Sequence, residues 1–353
     1  MRKRHLIGPL LRSARGCPGA GRRLLQLLVN LSLAFGLVGC HSASPEAGGP
    51  PSGATFSSPM AMPAPASHAD GAVESMELII RSAKSEYFPI TYWSDGLRVK
   101  GFLGRPMRGT SLPAVILNRG GNREFSALRG PEIVPFVESG FVAVASQYRG
   151  NGGSEGREEF GGADVDDVLN LVPLLKSLPE VDPGRIGMMG WSRGGMMTYL
   201  ALKRETLKGT HDIKVAATVA GPTDLLALAH DRPDMLDVYF DLIGQLLDEA
   251  PYRARSAVFW PELINAPLLI QHGEEDIRVS VEQSRRLAEL LAREGKTVKL
   301  VTYPGDEHML PGHNWGYPQA MAWIGKAIGR PDEDHSFETH QQAIEAAVRA
   351  WPK

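Results

Sequence analysis

Ser192 stands in the run Gly190-Trp191-Ser192-Arg193-Gly194-Gly195, with an apolar segment at 185–189 before it and a helix-forming segment at 196–207 after it. A strand that turns at once into a helix forces the residue at the turn into a strained backbone conformation. Neighbouring glycines let the two elements approach without Cβ clashes. The hydroxyl is thereby pushed into a cleft, the arrangement called a nucleophile elbow. The helix that starts directly after Ser192 turns its free N–H groups and the positive end of its dipole toward the same cleft, where an oxyanion would form.

An alcohol is a poor nucleophile at neutral pH, so Ser192 needs a base within hydrogen-bond reach and a carboxylate to orient that base. In α/β-hydrolases these follow in the chain order serine, acid, histidine. After an apolar segment at 267–271 comes His272-Gly273-Glu274-Glu275-Asp276-Ile277-Arg278-Val279, and after another at 299–303 comes Pro304-Gly305-Asp306-Glu307-His308. Both loops follow strand C-termini, the edge at which open α/β sheets place their active sites. Of the ten histidines, His308 is the best-placed base and His313, five residues on, is its rival. His272 reads as structural, bonding the backbone of the acid loop. Glu274, Glu275, Asp276 and Asp306 all lie near enough to be the acid. Asp276 stands ahead because an apolar residue and Val279 follow it and tuck its loop back.

The second half of an oxyanion hole should come from the loop after the segment at 114–117. That loop reads Asn118-Arg119-Gly120-Gly121-Asn122, with glycines where backbone must approach a substrate oxygen closely. The expected donors are the N–H groups of Gly121 and Arg193, with the register open by one residue. There is no His/Cys cluster at zinc spacing, and neither a metal nor a cofactor is expected.

The elements that must hold these groups are legible as alternation. Segments 90–93 and 97–103, flanking Ser94-Asp95-Gly96, read as a β-hairpin. Short apolar strands then alternate with helical segments at 114–117, 141–146, 185–189, 215–219, 267–271 and 299–303. Such alternation predicts an α/β fold, a mostly parallel twisted sheet with helices on both faces. The insertion at about 224–265, with a helical patch at 235–247, exceeds a simple crossover and could cap Ser192. Tyr239, Phe240, Phe259 and Trp260 are its candidates for a substrate pocket; packing of a crossover helix is the competing reading.

The run Tyr148-Arg149-Gly150-Asn151-Gly152-Gly153-Ser154-Glu155-Gly156, the elbow, the phrase from Gln271 to Val279 and the run Tyr303-Pro304-Gly305-Asp306-Glu307-His308 together resemble the catalytic domain of the prolyl oligopeptidase family, over about residues 90–330. The resemblance implies an α/β-hydrolase fold, Ser192 as nucleophile, Asp276 and His308 as its partners, and Gly121 near the oxyanion hole. Three departures stand out. The family's peptidases usually carry a β-propeller before the hydrolase domain, and about 15 residues between tether and hairpin cannot form one. The family's His-Gly-Gly-Pro loop is here Arg119-Gly120-Gly121-Asn122. The elbow has Arg193 where tyrosine is frequent.

The remainder of the 353 residues speaks to location. Residues 1–39 read as a lipoprotein signal peptide: seven basic residues and no acid, then a short apolar run at 24–38. The run is shorter than the roughly 20 residues of a spanning helix. Leu37-Val38-Gly39-Cys40 resembles a bacterial lipobox, which makes Cys40 the expected lipidation site and membrane anchor. His41 in place of an aspartate suggests the outer membrane, facing the periplasm. Residues 40–75, rich in Pro, Ala, Gly and Ser, read as a flexible tether, and 76–353 as the catalytic domain. Without residues 1–39 the chain carries 31 basic against 40 acidic side chains, which excludes nucleic acid and anionic lipid headgroups as favoured partners.

The expectation is a serine hydrolase that cleaves peptide or amide bonds through an acyl-enzyme. A carboxylesterase uses the same machinery on a better leaving group and is the first alternative. The second is an envelope binding lipoprotein that retains the fold without catalysis. The sequence leaves acyl specificity and oligomeric state open.

Overall fold

The computed structural model describes residues 68–329 and 337–351, so the segment read as a signal, Cys40 and most of the tether lie outside the described residues. The hairpin forms where the sequence places it. Asp95 and Gly96 both take positive φ, 51° and 75°, the primed turn that matches the twist of the paired strands β3 (Ser85–Ser94) and β4 (Leu97–Pro106). Two short strands, β1 (Val73–Met76) and β2 (Ile80–Arg81), add to β3 on its outer side. The sheet thus takes in Val73, Glu74 and Ser75, which composition alone places in the tether. All four β1 side chains are exposed, so the strand is held by main-chain pairing and leaves no apolar signature.

Six further strands build the body: β5 (Leu112–Asn118), β6 (Val142–Ser146), β7 (Val181–Trp191), β8 (Ile213–Val219), β9 (Leu268–Gly273) and β10 (Val298–Tyr303). The order across the sheet is β1-β3-β4-β6-β5-β7-β8-β9-β10, parallel from β6 onward and antiparallel before it. The middle stretches of the central strands, such as 114–117 and 186–189, are apolar because both faces are covered. Ile116, Val144 and Met188 pack with Tyr199 and Leu200 of the helix Arg193–Lys208 on one side. Leu117, Ala145 and Met189 pack with Met321 and Ile324 of the helix Tyr317–Ile328 on the other. Successive residues point to opposite faces, so one strand feeds two cores.

The insertion forms three short helices, Leu225–Asp231, Leu236–Leu242 and Ala250–Ala254. Asp224 caps the first by accepting from the N–H groups of Leu226 and Ala227 at 3.1 and 3.2 Å. The expected helical patch ends at Leu242, well before residue 247. At the C-terminus the helix Phe337–Ala350 brings Trp351 edge-on to Tyr87 and Phe102, with ring centroids 5.5 and 6.0 Å apart.

Candidate active site

The elbow has the strain its sequence requires. β7 ends at Trp191, the helix begins at Arg193, and Ser192 between them sits at φ 52°, ψ −126°. A Cβ on Gly194 would lie 1.9 Å from the carbonyl oxygen of Asn118, and one on Gly190 would lie 2.1 Å from that of Gly194. Only glycine allows so close a crossing, and the surrounding packing over-determines the strained serine. The Asn118–Asn122 loop passes directly beside it: a Cβ on Gly120 would meet the Cβ of Ser192 at 3.2 Å. The N–H of Arg193, at the start of the helix, has no carbonyl partner within that helix.

His308 and Asp276 arrive from the loops after β10 and β9. The Nδ1 of His308 donates to Oδ2 of Asp276 at 2.7 Å. An ionised carboxylate only accepts, so the facing ring nitrogen carries the proton and Nε2 is left as the basic atom. Asp276 takes three more bonds: from Nε2 of His272 at 3.0 Å to the same oxygen, and from the N–H groups of Arg278 and Val279 at 2.8 and 3.0 Å to Oδ1. Burial alone would raise this carboxyl's pKa. The hydrogen bonds from His272, His308 and Val279, with the positive charge His308 carries when protonated, outweigh burial and hold it well below the usual carboxylate range. His272 does bond the loop backbone, at the carbonyl of Val279, 2.8 Å away, and it grips the carboxylate as well. Its Nδ1 accepts from Oγ of Ser284 at 2.6 Å.

The other candidates are engaged elsewhere. Asp306 accepts from Nδ1 of His313 at 2.7 Å and from the N–H groups of Glu307 and Gly312 at 3.0 and 3.2 Å. That pair shapes the loop carrying His308, with His313 packed against the Tyr303 ring at 4.3 Å. Glu274 accepts from Oγ1 of Thr302 at 2.7 Å and from Arg285 at 3.2 Å, while Glu275 is exposed.

Ser192, His308, Gly120, Gly121 and Arg193 all line one cavity of about 1260 Å³. Among the described residues no hydrogen bond joins Ser192 directly to His308. The insertion contributes Leu228, Met235, Val238 and Tyr239 to the wall. Of the four aromatic residues considered from the sequence, only Tyr239 is there. Phe259 lies on the surface under Arg253, and Trp260 is buried beneath Lys203. Sequence reading also missed two couplings. The indole N–H of Trp191 donates to the carbonyl of Trp315 at 2.8 Å, tying the elbow to the loop of His308. Arg119 and Arg193 have buried side chains and grip backbone rather than face solvent. Two arginines flanking apolar segments were the available signal, but exposure is the ordinary fate of that residue type.

The sheet order, the elbow after a central strand and the histidine and aspartate after the last two strands define an α/β-hydrolase. A family model described as "Prolyl oligopeptidase family" matches residues 127–330, and the chain belongs to that family. It is a serine hydrolase. The uncharacterized peptidase YtmA of Bacillus subtilis is 33% identical over 226 residues, which cover 64% of this chain and 86% of that one. A puromycin-hydrolyzing peptidase of Mycobacterium tuberculosis superposes with a TM-score of 0.61 at 25% identity, over 70% of this chain and 40% of that one. The acylaminoacyl peptidase of Pyrococcus horikoshii gives 0.60 at 25% identity, over 72% and 44%. The chain therefore spans less than half the length of these two solved peptidases.

Proposed function

We propose that this protein hydrolyses amide bonds of short peptides through an acyl-enzyme on Ser192. The observation that carries the reading is the bond from Nδ1 of His308 to Asp276 beside a strained Ser192 in one cavity. Nε2 of His308 takes the hydroxyl proton as Oγ of Ser192 attacks the carbonyl carbon, a contact that tightens as substrate fills the site. The N–H groups of Arg193 and Gly121 hold the oxyanion. The proton returns to the leaving amine, and water activated by His308 releases the acid. The peptidase relatives support peptides over esters, and the insertion's apolar wall suits an apolar group next to the scissile bond. No specific observation favours the esterase or the non-catalytic binding protein.

The test is kcat/KM of the full chain, purified in detergent, on short peptide anilides and matched p-nitrophenyl esters, with Ser192→Ala beside it. Anilide turnover that vanishes in Ser192→Ala supports the peptidase; Ser192-dependent turnover of esters alone replaces it with a carboxylesterase. The envelope location is part of the proposal and rests on Leu37-Val38-Gly39-Cys40 and the basic, apolar segment before it. Metabolic labelling with a fatty acid should mark the native chain and not Cys40→Ser; equal labelling of both refutes the anchor.

A further inference from the structure

Arg119 and Arg193 stand at two of the positions, one in the loop and one in the elbow, that depart from the family pattern, and each is 2% exposed. A buried guanidinium without counter-charge costs several kcal/mol. Arg193 is paired with two buried carboxylates, Nη1 donating to Glu158 and Nη2 to Asp164. Its plane lies 5.0 Å from the Tyr148 ring and 4.8 Å from that of Phe160. Arg119 approaches the same Tyr148 ring at 5.3 Å.

Nε of Arg119 donates to the carbonyl of Gln147 at 3.1 Å, and the terminal nitrogens of both arginines reach the loop beside Ser192. Nη1 of Arg119 donates to the carbonyls of Gly120 and Phe125, each at 3.2 Å, and Nη2 to that of Arg123 at 2.8 Å. Nη1 of Arg193 donates to the carbonyl of Gly121 at 3.2 Å, and the second oxygen of Glu158 accepts from the N–H of Arg123 at 2.7 Å. The geometry of the peptide group gives these contacts meaning. The carbonyl of Gly120 and the N–H of Gly121 belong to one planar trans amide and point in opposite directions. Holding that carbonyl aims that N–H. The carbonyl of Gly121 belongs to the next plane, so the two arginines pin both planes that meet at Gly121, a residue with φ of 70°.

We infer that Arg119 and Arg193 are paired positioning residues that aim the Gly121 N–H into the oxyanion hole, with Glu158 and Asp164 as the counter-charges that let Arg193 do so while buried. Arg193 thus acts twice: its backbone supplies one donor and its side chain orients the other. These two departures from the family pattern are one feature. The inference rests on the oxyanion assignment proposed above.

Two full-chain variants test it: Arg119→Met, and the triple Arg193→Met/Glu158→Gln/Asp164→Asn, which removes Arg193 together with both of its buried carboxylate partners so that neither is left uncompensated. Each should lower kcat roughly 10- to 100-fold with KM within about threefold, less than the 10²–10³ typical of deleting a donor outright. Affinity for a peptidyl trifluoromethyl ketone, whose adduct carries the oxyanion, should fall by the same factor. Arg119→Lys, which keeps the charge and one donor direction, should recover part of both losses. A folded triple variant with wild-type kcat and inhibitor affinity overturns the inference; so does a loss of kcat with unchanged inhibitor affinity. If the wild type shows no Ser192-dependent turnover of anilide or ester, the hydrolytic reading fails and takes the inference with it.

Discussion

Replacing Asp276 by asparagine is the sharpest perturbation of the site, because the structure dictates which way the new amide must face. Oδ1 of Asp276 accepts from two backbone N–H groups, those of Arg278 and Val279, at 2.8 and 3.0 Å. Backbone amides cannot exchange donor for acceptor, so the asparagine oxygen must take this position. Its NH2 group then falls where Oδ2 was, 2.7 Å from Nδ1 of His308 and 3.0 Å from Nε2 of His272. Each ring can relieve the clash of donors by moving its proton to the other nitrogen. For His308 that places the proton on Nε2, the atom that receives it from Ser192 in the proposed mechanism. The expected loss in kcat is therefore that of a wrong tautomer, about 10⁴-fold, or roughly 5.5 kcal/mol. The fold should survive, since the oxygen keeps its two backbone donors. His272 turns its Nδ1 proton toward Ser284 but abandons the Val279 carbonyl, for a cost of about 1–3 kcal/mol. The assay is kcat on whichever substrate shows Ser192-dependent turnover, with a urea melt to confirm folding. A folded variant that loses less than tenfold in kcat would refute the orienting role of Asp276.

Three further outcomes follow from the same contacts. The folded-state pKa of Asp276 is depressed, and Asp306 is shifted in the same direction, burial opposing its bonds from His313, Gly312 and Glu307. Both groups contribute stability that is present above the unfolded carboxyl pKa near 4 and is lost as pH falls toward their folded values. Urea melts should show stability falling between pH 5 and 3, and falling less in Asp276→Asn; equal slopes would contradict the assignment. His272→Ala removes one charge-assisted bond to Asp276 and leaves the Val279 carbonyl unpaired, so stability should drop by about 2–4 kcal/mol and kcat by roughly tenfold or more; unchanged kcat in the folded variant would leave His272 outside the mechanism. Gly130→Ala should cost about 2–4 kcal/mol in a denaturant melt, because Gly130 has φ 106° and an added Cβ would lie 1.8 Å from the Trp351 ring. A neutral result there would mean that the C-terminal helix does not dock on the loop before Pro131.

The sequence by itself determined the parallel body of the sheet, because strand segments buried on both faces are largely apolar and so announce themselves, as at 114–117 and 215–219. It determined the elbow for a related reason: a glycine-flanked serine between strand and helix has few other conformations open to it. It pointed to His308 and Asp276 through their places after the last two strands. Elements without local pressure were silent. β1 buries none of its side chains and exists through main-chain pairing to β3, which composition does not encode. Which of four nearby carboxylates meets His308 was decided by how the 273–279 loop folds around His272, with two backbone N–H groups turning Asp276 inward and Asp306 captured instead by His313. The fate of Arg119 and Arg193 was likewise tertiary. Each reads locally as an ordinary surface cation. Only the fold brings one segment of the chain, carrying Tyr148, Glu158, Phe160 and Asp164, around Arg193 some 30–45 residues later, and a charge is buried where its partners meet it in space, not where they lie in sequence.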